Sequence, residues 1–433
     1  MVPSSTKLRI AIIGAGISGL TVARILDRDH EVTVFESSEN IGGHAQTIEV
    51  ENGGERVSVD AGVCMFYTSG YPRFLHLLRR LGIPTEVSKT SLEILSIPDE
   101  RRYHFDLNAP WKTVAQSMFS QDQRWFVRDG FRFYRCAHRS LSPKGNSTVT
   151  IAEHFAEEKY SETFRVFLSF ICGSIWTLNQ RGVGELPMAF VAQSLMTLGF
   201  LPSFPHGKWH HIPGSVRRYL QALAAPLGNR IRPGSTVERV DRSGSTVTVH
   251  ANGTEETFDH VVFAIPAHSA LQMIAKPTNE ESEILGAFSS QSHVIVVTGD
   301  TAAIRRWTAG NPAMFAATDV TQQSMEQGRE FLFRVGFADI NNLCRLPLAT
   351  PIYMWYQFPD SPPLSHEYRR IPFSTPMFTK SSLQAQARHH EISGRDRLHF
   401  CGAGWTNGIH EGGVVSALNV TKWFGLNLDD IES

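Results

Sequence analysis

The sequence predicts an α/β fold whose parallel sheet is built in three separate visits of the chain. Three observations carry this. An apolar strand runs into a glycine turn and a helix across residues 9–26. A second buried strand ends at a proline across residues 260–266. A third strand enters a glycine turn at residues 397–404, and a helix opens at Gly412. The material between these visits reads differently.

The first visit is the most informative. Ile10, Ile12 and Ile13 form an apolar run of the buried-strand type. Gly14, Ala15, Gly16, Ile17, Ser18 and Gly19 then give a G-x-G-x-x-G spacing. Gly14 permits the tight turn out of the strand. Gly16 has no β-carbon, so backbone can approach a pyrophosphate. Gly19 lets the helix pack closely on the sheet. Leu20, Ala23 and Ile25 begin that helix, whose N–H groups and dipole face the phosphates. Val32, Val34 and Phe35 make the next strand, and Glu36 with Ser37 ends it. A carboxylate there accepts a hydrogen bond from a ribose hydroxyl and disfavours the extra phosphate of NADP. Strand, turn, helix and acid together predict a site for an adenine dinucleotide.

Composition narrows the class. The 433 residues suffice for two or three domains, and 42% hydrophobic with 19% charged content suits a globular chain. A net charge of -1 gives no electrostatic case for nucleic acid or an acidic membrane surface. The cysteines Cys64, Cys136, Cys172, Cys344 and Cys401 are scattered, without C-x-x-C pairs. That argues against a disulfide framework or zinc ribbon and for a reducing compartment. His210-His211 and His389-His390 lack metal spacing, so no metal is expected. No apolar stretch is long enough to span a bilayer, and residues 1–7 lack a signal-peptide core. A cytoplasmic protein is the expectation. Peripheral contact with a membrane and the oligomeric state stay open.

Further along, residues 47–50 and 56–60 alternate around Asn52-Gly53-Gly54, a hairpin signal. Tyr71-Pro72 opens a helix that stops at Gly82. From Glu86 to Phe204 the chain is aromatic, with Trp111, Phe119, Trp125, Phe126, Phe131 and Phe133 among its residues. Phe164, Phe167, Leu168 and Ile171 show helical spacing. This stretch reads as part of a second, mixed domain lining an apolar pocket. Residues 236–240 and 246–249 alternate and turn at Asn252-Gly253 before the strand at His260. Residues 293–297 and 352–356 read as strands of the second domain.

This layout resembles the flavin-containing amine oxidoreductase superfamily, which includes monoamine oxidases, protoporphyrinogen oxidases, phytoene desaturases and a fatty-acid isomerase. Gly42-Gly43 resembles the family's second diphosphate contact. The segment from Val59 through Gly62, Val63 and Met65 resembles the one beside the flavin ring. Val237 falls where the family makes a backbone contact to adenine, and residues 209–223 resemble its Trp…Pro-Gly-Gly…Leu segment. Gly402-Ala403 and His410-Glu411-Gly412-Gly413-Val414 resemble the motif that closes over the flavin. His44 after the glycine pair resembles the branch of predicted NAD/FAD-binding proteins.

The resemblance implies FAD as cofactor. It implies a Rossmann-like FAD-binding domain of the glutathione-reductase/amine-oxidase type, interrupted by a mixed α+β substrate domain. The expected division is residues 1–85, 205–266 and 389–433 for FAD and 86–204 with 267–388 for substrate. Ala403 stands where many members place an acid. Lys276 and Lys380, the two lysines between Ala267 and the closing motif, both lie outside the strand around His293, where amine oxidases place a water-holding lysine. Both departures point away from amine oxidation proper.

The expected activity is hydride transfer from a mainly apolar small molecule, a lipid or secondary metabolite, to flavin N5. O2 is a candidate acceptor. The enzyme would be an oxidase, dehydrogenase or desaturase; a double-bond isomerase without net redox change, an amine oxidase proper and a non-catalytic flavoprotein remain alternatives. Backbone N–H groups at Gly412, Gly413 and Val414 are expected to face the flavin's N1 and C2 carbonyl. His410 is the candidate proton shuttle and Trp405 the candidate wall of the substrate side.

Overall fold

A computed structural model describes residues 7–431 except 97–99, 101, 110–120, 141–148, 177, 179, 201–206, 309–313, 319–332, 347 and 358–363. Trp111, Phe119 and Phe204 lie outside the described residues.

The three visits meet in one five-stranded sheet. Its order is Ile231–Arg232, Glu31–Phe35, Arg9–Ile13, His260–Phe263 and Leu398–Phe400, and every pairing is parallel. Both faces are covered, which explains the unbroken apolar runs. Ile10, Ile12, Val32, Val34 and Val262 face one core, with the Ile17–Leu26 and His410–Trp423 helices. Ala11, Ile13, Phe35, Val261 and Phe263 face a second core. A three-stranded antiparallel sheet of Val237–Ser243, Thr246–Ala251 and Thr254–Phe258 covers that side. Its third strand follows the Asn252-Gly253 turn, which the sequence had marked only as a lead into His260. The run Thr-Glu-Glu-Thr-Phe buries just Phe258, so its pattern is weak.

The hairpin forms as Ala45–Asn52 and Glu55–Gly62, with Gly53 and Gly54 at φ of 62° and 85° in its turn. The Pro72–Arg80 helix stops before Gly82, at φ of 65°.

The rest forms a seven-stranded mixed sheet and a group of helices. Ser91–Ser96 and Arg102–Asp106 at one sheet edge come from the first inserted stretch. The other five strands, which include Ser289–Thr298 and Tyr353–Gln357, come from the second. They join through one parallel pairing, Met314–Thr318 with Ser91–Ser96. The Gln121–Ser140, Glu162–Trp176 and Met188–Thr197 helices share an aromatic core with Phe133, Phe164, Phe170 and Trp176. All five cysteines are free thiols. Among the described residues, no helix is long and apolar enough to cross a membrane, and no cluster of metal-ligating side chains occurs.

Candidate functional site

The glycines of the first turn divide into two kinds. A β-carbon on Gly14 would lie 2.7 Å from the Ala264 carbonyl oxygen, and one on Gly19 would lie 1.9 Å from that of Gly14. These two are required by the protein's own backbone. Gly16 differs: a β-carbon there meets nothing nearer than 3.9 Å. Gly43 would come no closer than 3.4 Å to Gly16. A β-carbon at Gly16 would make only ordinary contact, so the protein's own packing does not require a glycine there, as fits a position that a ligand approaches.

Gly42 completes this glycine cradle. Its N–H donates to the Ala15 carbonyl at 2.9 Å, and it forms a parallel bridge to Gly16. The two glycine motifs therefore run side by side at the start of the Ile17–Leu26 helix. No side chain caps that helix, so its first N–H groups remain for an anion. Glu36 sits at the end of its strand. Its carboxylate accepts from Ala15 N–H at 2.8 Å and Ser38 N–H at 2.9 Å. Ser37 Oγ also donates to Oε1, at 3.4 Å, so Oε2 is the oxygen that retains a lone pair for a ribose hydroxyl. Ser235 N–H donates to the Glu36 carbonyl at 2.8 Å, which brings the Val237 strand beside it.

The His410–Trp423 helix lies against the first helix. Ser18 Oγ donates to the Gly413 carbonyl at 3.0 Å, and a β-carbon on Gly413 would press on Ile17 and Ser18 at 3.0–3.1 Å. This helix also starts without a side-chain cap. The preceding loop is pinned from two sides. Gln386 Nε2 donates to the carbonyls of Gly404 and Thr406 at 2.7 and 2.8 Å, and Trp176 Nε1 donates to that of Asn407 at 2.8 Å. Gly402 N–H donates to Ser416 Oγ at 2.9 Å, and Ala403 opens the loop's short helical turn.

His44 and Gly62 come together at the hairpin mouth, where a β-carbon on Gly62 would lie 2.4 Å from the His44 carbonyl oxygen and 3.2 Å from Phe373. His44 keeps solvent access although protein atoms crowd around it. Its Nε2–H donates to the Ser374 carbonyl at 3.0 Å, and burial pulls its pKa down. Phe373 lies between His44 and His293, 5.4 and 5.5 Å from them. Val63 and Met65 follow, both partly buried.

The two expected side-chain roles, of His410 and Trp405, meet a different geometry, and the Glu411 side chain is engaged elsewhere. His410 is buried, pairs its Nε2 with the Tyr219 hydroxyl at 2.8 Å, and packs edge-on against Phe74. Burial pulls its pKa down to about 3, so it is held neutral and spent on the core. Trp405 is buried against Phe288, His389 and Phe400, on the side of the second core. Glu411 gives both carboxylate oxygens to the Pro72–Arg80 helix, accepting from Arg73 N–H at 3.0 Å and Phe74 N–H at 2.8 Å. It caps that helix and leaves cofactor contact to its backbone.

A cavity of about 320 Å³ opens beside the start of the His410–Trp423 helix. Its mostly apolar lining brings Phe190, Gln193 and Ser194 of the Met188–Thr197 helix against Thr406, Asn407 and Val415. The closing motif read from the sequence supplies Val415 together with Glu411 and Gly412, which also line the cavity; Phe190, Gln193, Ser194, Thr406 and Asn407 were not singled out. Asn407 Oδ1, in a residue of this wall, is buried and lacks a hydrogen-bond partner.

The flavin containing amine oxidoreductase profile matches residues 17–290. AofH of Mycobacterium tuberculosis, named for a flavin-containing monoamine oxidase, is 26% identical over 281 residues, covering 59% of this chain and 56% of AofH. L-amino-acid oxidase of Siganus canaliculatus is 24% identical over 299 residues, covering 63% of this chain and 53% of that protein. The chain thus spans about half the length of the curated relatives it matches. Among solved structures, a double mutant of putrescine oxidase superposes with a TM-score of 0.70 at 13% identity, over 97% of this chain and all of that one. The fatty acid isomerase of P. acnes gives 0.68 at 15%, over 98% and 100%. Both share the fold. The glycine cradle, the ribose acid and the two uncapped helix starts fit FAD, and the chain belongs to the flavin-containing amine oxidoreductase family.

Proposed function

We propose that the protein is an FAD-dependent oxidoreductase that withdraws a hydride from a mainly apolar small molecule, a lipid or secondary metabolite. The observation that carries this reading is the mostly apolar cavity next to the closing helix. When bound, FAD would supply a two-electron acceptor at N5 for the hydride of a substrate that also gives up a proton and gains a double bond, with O2 as the candidate terminal acceptor.

The chain's own residues do the rest. Gly14, Gly16, Gly19, Gly42 and Gly43 would hold the diphosphate, and Glu36 the ribose. The N–H groups at Gly412, Gly413 and Val414 would face the negative charge of the reduced ring. Phe190 and Val415 would seat the apolar body of the substrate and exclude water. Asn407 and Thr406 would orient its polar end. The domain division given above belongs to the same proposal. Five free thiols fit a reducing compartment, and the reading places the protein in the cytoplasm.

Relatives and fold neighbours are named for amine, amino-acid and fatty-acid chemistry. The Ser289–Thr298 strand carries no lysine and presents His293 instead, which favours a carbon centre over an amine. Purified protein is expected to be yellow, and an apolar substrate should bleach it anaerobically. Oxygen should restore the colour with one peroxide per turnover. Protein that cannot be loaded with FAD would sink the reading. Turnover without oxygen or any acceptor would assign an isomerase instead.

A further inference from the structure

We propose that the outer face of the Gln121–Ser140 helix seats the protein on an anionic lipid bilayer. Trp125 is 42% and Phe131 60% exposed, and both lie on this helix. Among the described residues, Trp423 is the one other large hydrophobic exposed to a similar degree. Arg124, Arg128, Arg135, His138 and Arg139 are exposed on the same helix. Positions 124, 128, 131, 135 and 138 recur every three or four residues, so they share one face.

The opposite face is spoken for. Phe133 and Ala137 are buried in the aromatic core. Asp129 is fully buried and takes Arg128, Arg132 and Ser161 N–H, while Arg132 also pairs with Glu158. No exposed acid occurs among the described side chains of this helix. The Arg128 guanidinium lies 4.0 Å over the Trp125 ring, so charge and aromatic surface are presented together.

A bilayer with acidic headgroups matches this surface in both chemistries. Arginines meet lipid phosphates, and tryptophan and phenylalanine enter at headgroup depth. The whole-chain charge of -1 hides the patch, because it averages a local basic face with acids elsewhere. The helix packs inward on the Met188–Thr197 helix, which lines the cavity. A bilayer on the outer face would therefore lie one helix away from the cavity. The surface stands on its own geometry, whatever reaction the cavity serves.

Co-sedimentation of the full FAD-loaded chain with vesicles tests this. Phosphatidylcholine vesicles containing phosphatidylglycerol are expected to bind it about tenfold or more tighter than phosphatidylcholine alone, with binding lost near 0.5 M salt. Arg124→Glu with Arg135→Glu should weaken that binding about tenfold or more, and Trp125→Ala with Phe131→Ala several-fold. Both pairs are exposed, so flavin absorbance and circular dichroism should match the parent. Absence of vesicle binding would overturn the proposal. So would equal binding by parent and both variants, or retention on duplex nucleic acid but not on vesicles. A dimer that shields Trp125 from a quencher without vesicles would overturn it as well.

Discussion

The glycine cradle and the cavity wall are neighbours, yet they are made in opposite ways. The cradle is backbone on backbone: Gly42 N–H on the Ala15 carbonyl, Gly19 over Gly14, Gly14 under Ala264. The wall is side chains, with Phe190 and Ser194 from one helix set against Asn407 and Val415 from a segment more than 200 residues later. Backbone approach admits one residue type at a fixed spacing. A side-chain wall admits many, provided that shape and polarity are kept. The difference teaches which half of the site tolerates change, and it can be broken or sharpened by substitution.

The largest effect should come from Gly19→Ala. Its β-carbon would lie 1.9 Å from a carbonyl that cannot step aside. A loss of about 3 kcal/mol or more is expected, read as a lowered thermal midpoint or insoluble protein. Gly16→Val separates ligand space from protein space. The apoprotein should melt like the parent, while FAD binding weakens about a hundredfold in a fluorescence titration. If the apoprotein melts early instead, the room at Gly16 has been misread.

Asp60 comes next. It is buried in the hairpin, accepts from Thr47 Oγ1 and Val216 N–H, and burial raises its pKa to about 7. The folded state keeps a proton that the unfolded chain releases near pH 4. This group therefore favours folding at low pH, and that advantage is lost as pH rises from about 4 to about 7. Asp60→Asn should flatten denaturant stability across that window, by a few kcal/mol. An unchanged slope would show that Asp60 ionises normally.

Phe190→Ala should raise KM for the apolar substrate about tenfold and leave FAD affinity unchanged. Equal loss in both would mean that the wall and the cradle are one unit. His410→Phe should have the smallest effect, about 1 kcal/mol of stability for the lost Tyr219 hydrogen bond. Its flavin reduction rate should stay close to the parent's. A fall of about a hundredfold or more would return His410 to proton transfer.

Much of the cradle was legible because its grammar is local. The strand, the G-x-G-x-x-G turn and Glu36 lie within 30 residues. The hairpin at Gly53-Gly54 and the Pro72–Arg80 helix were legible for the same reason. Trp405, His410 and Glu411 show where that legibility ends. Their positions in a motif were read from the sequence, but a side chain's direction depends on what packs beside it. Tyr219 took the His410 ring, the Pro72–Arg80 helix took the Glu411 carboxylate, and Phe288 took Trp405.

By itself the sequence determined the dinucleotide grammar, the parallel sheet's three visits and the resemblance to a flavin family. Periodicity and glycine placement act over a few residues, so they survive in a linear reading. Tertiary structure alone decided that Gly16 has room for a β-carbon while Gly19 faces a carbonyl. It also joined two inserted stretches into one mixed sheet, and set Phe190 opposite Asn407. It turned Trp125 and Phe131 outward among arginines. Those outcomes depend on partners far apart in the chain, and burial is a property of the packed whole.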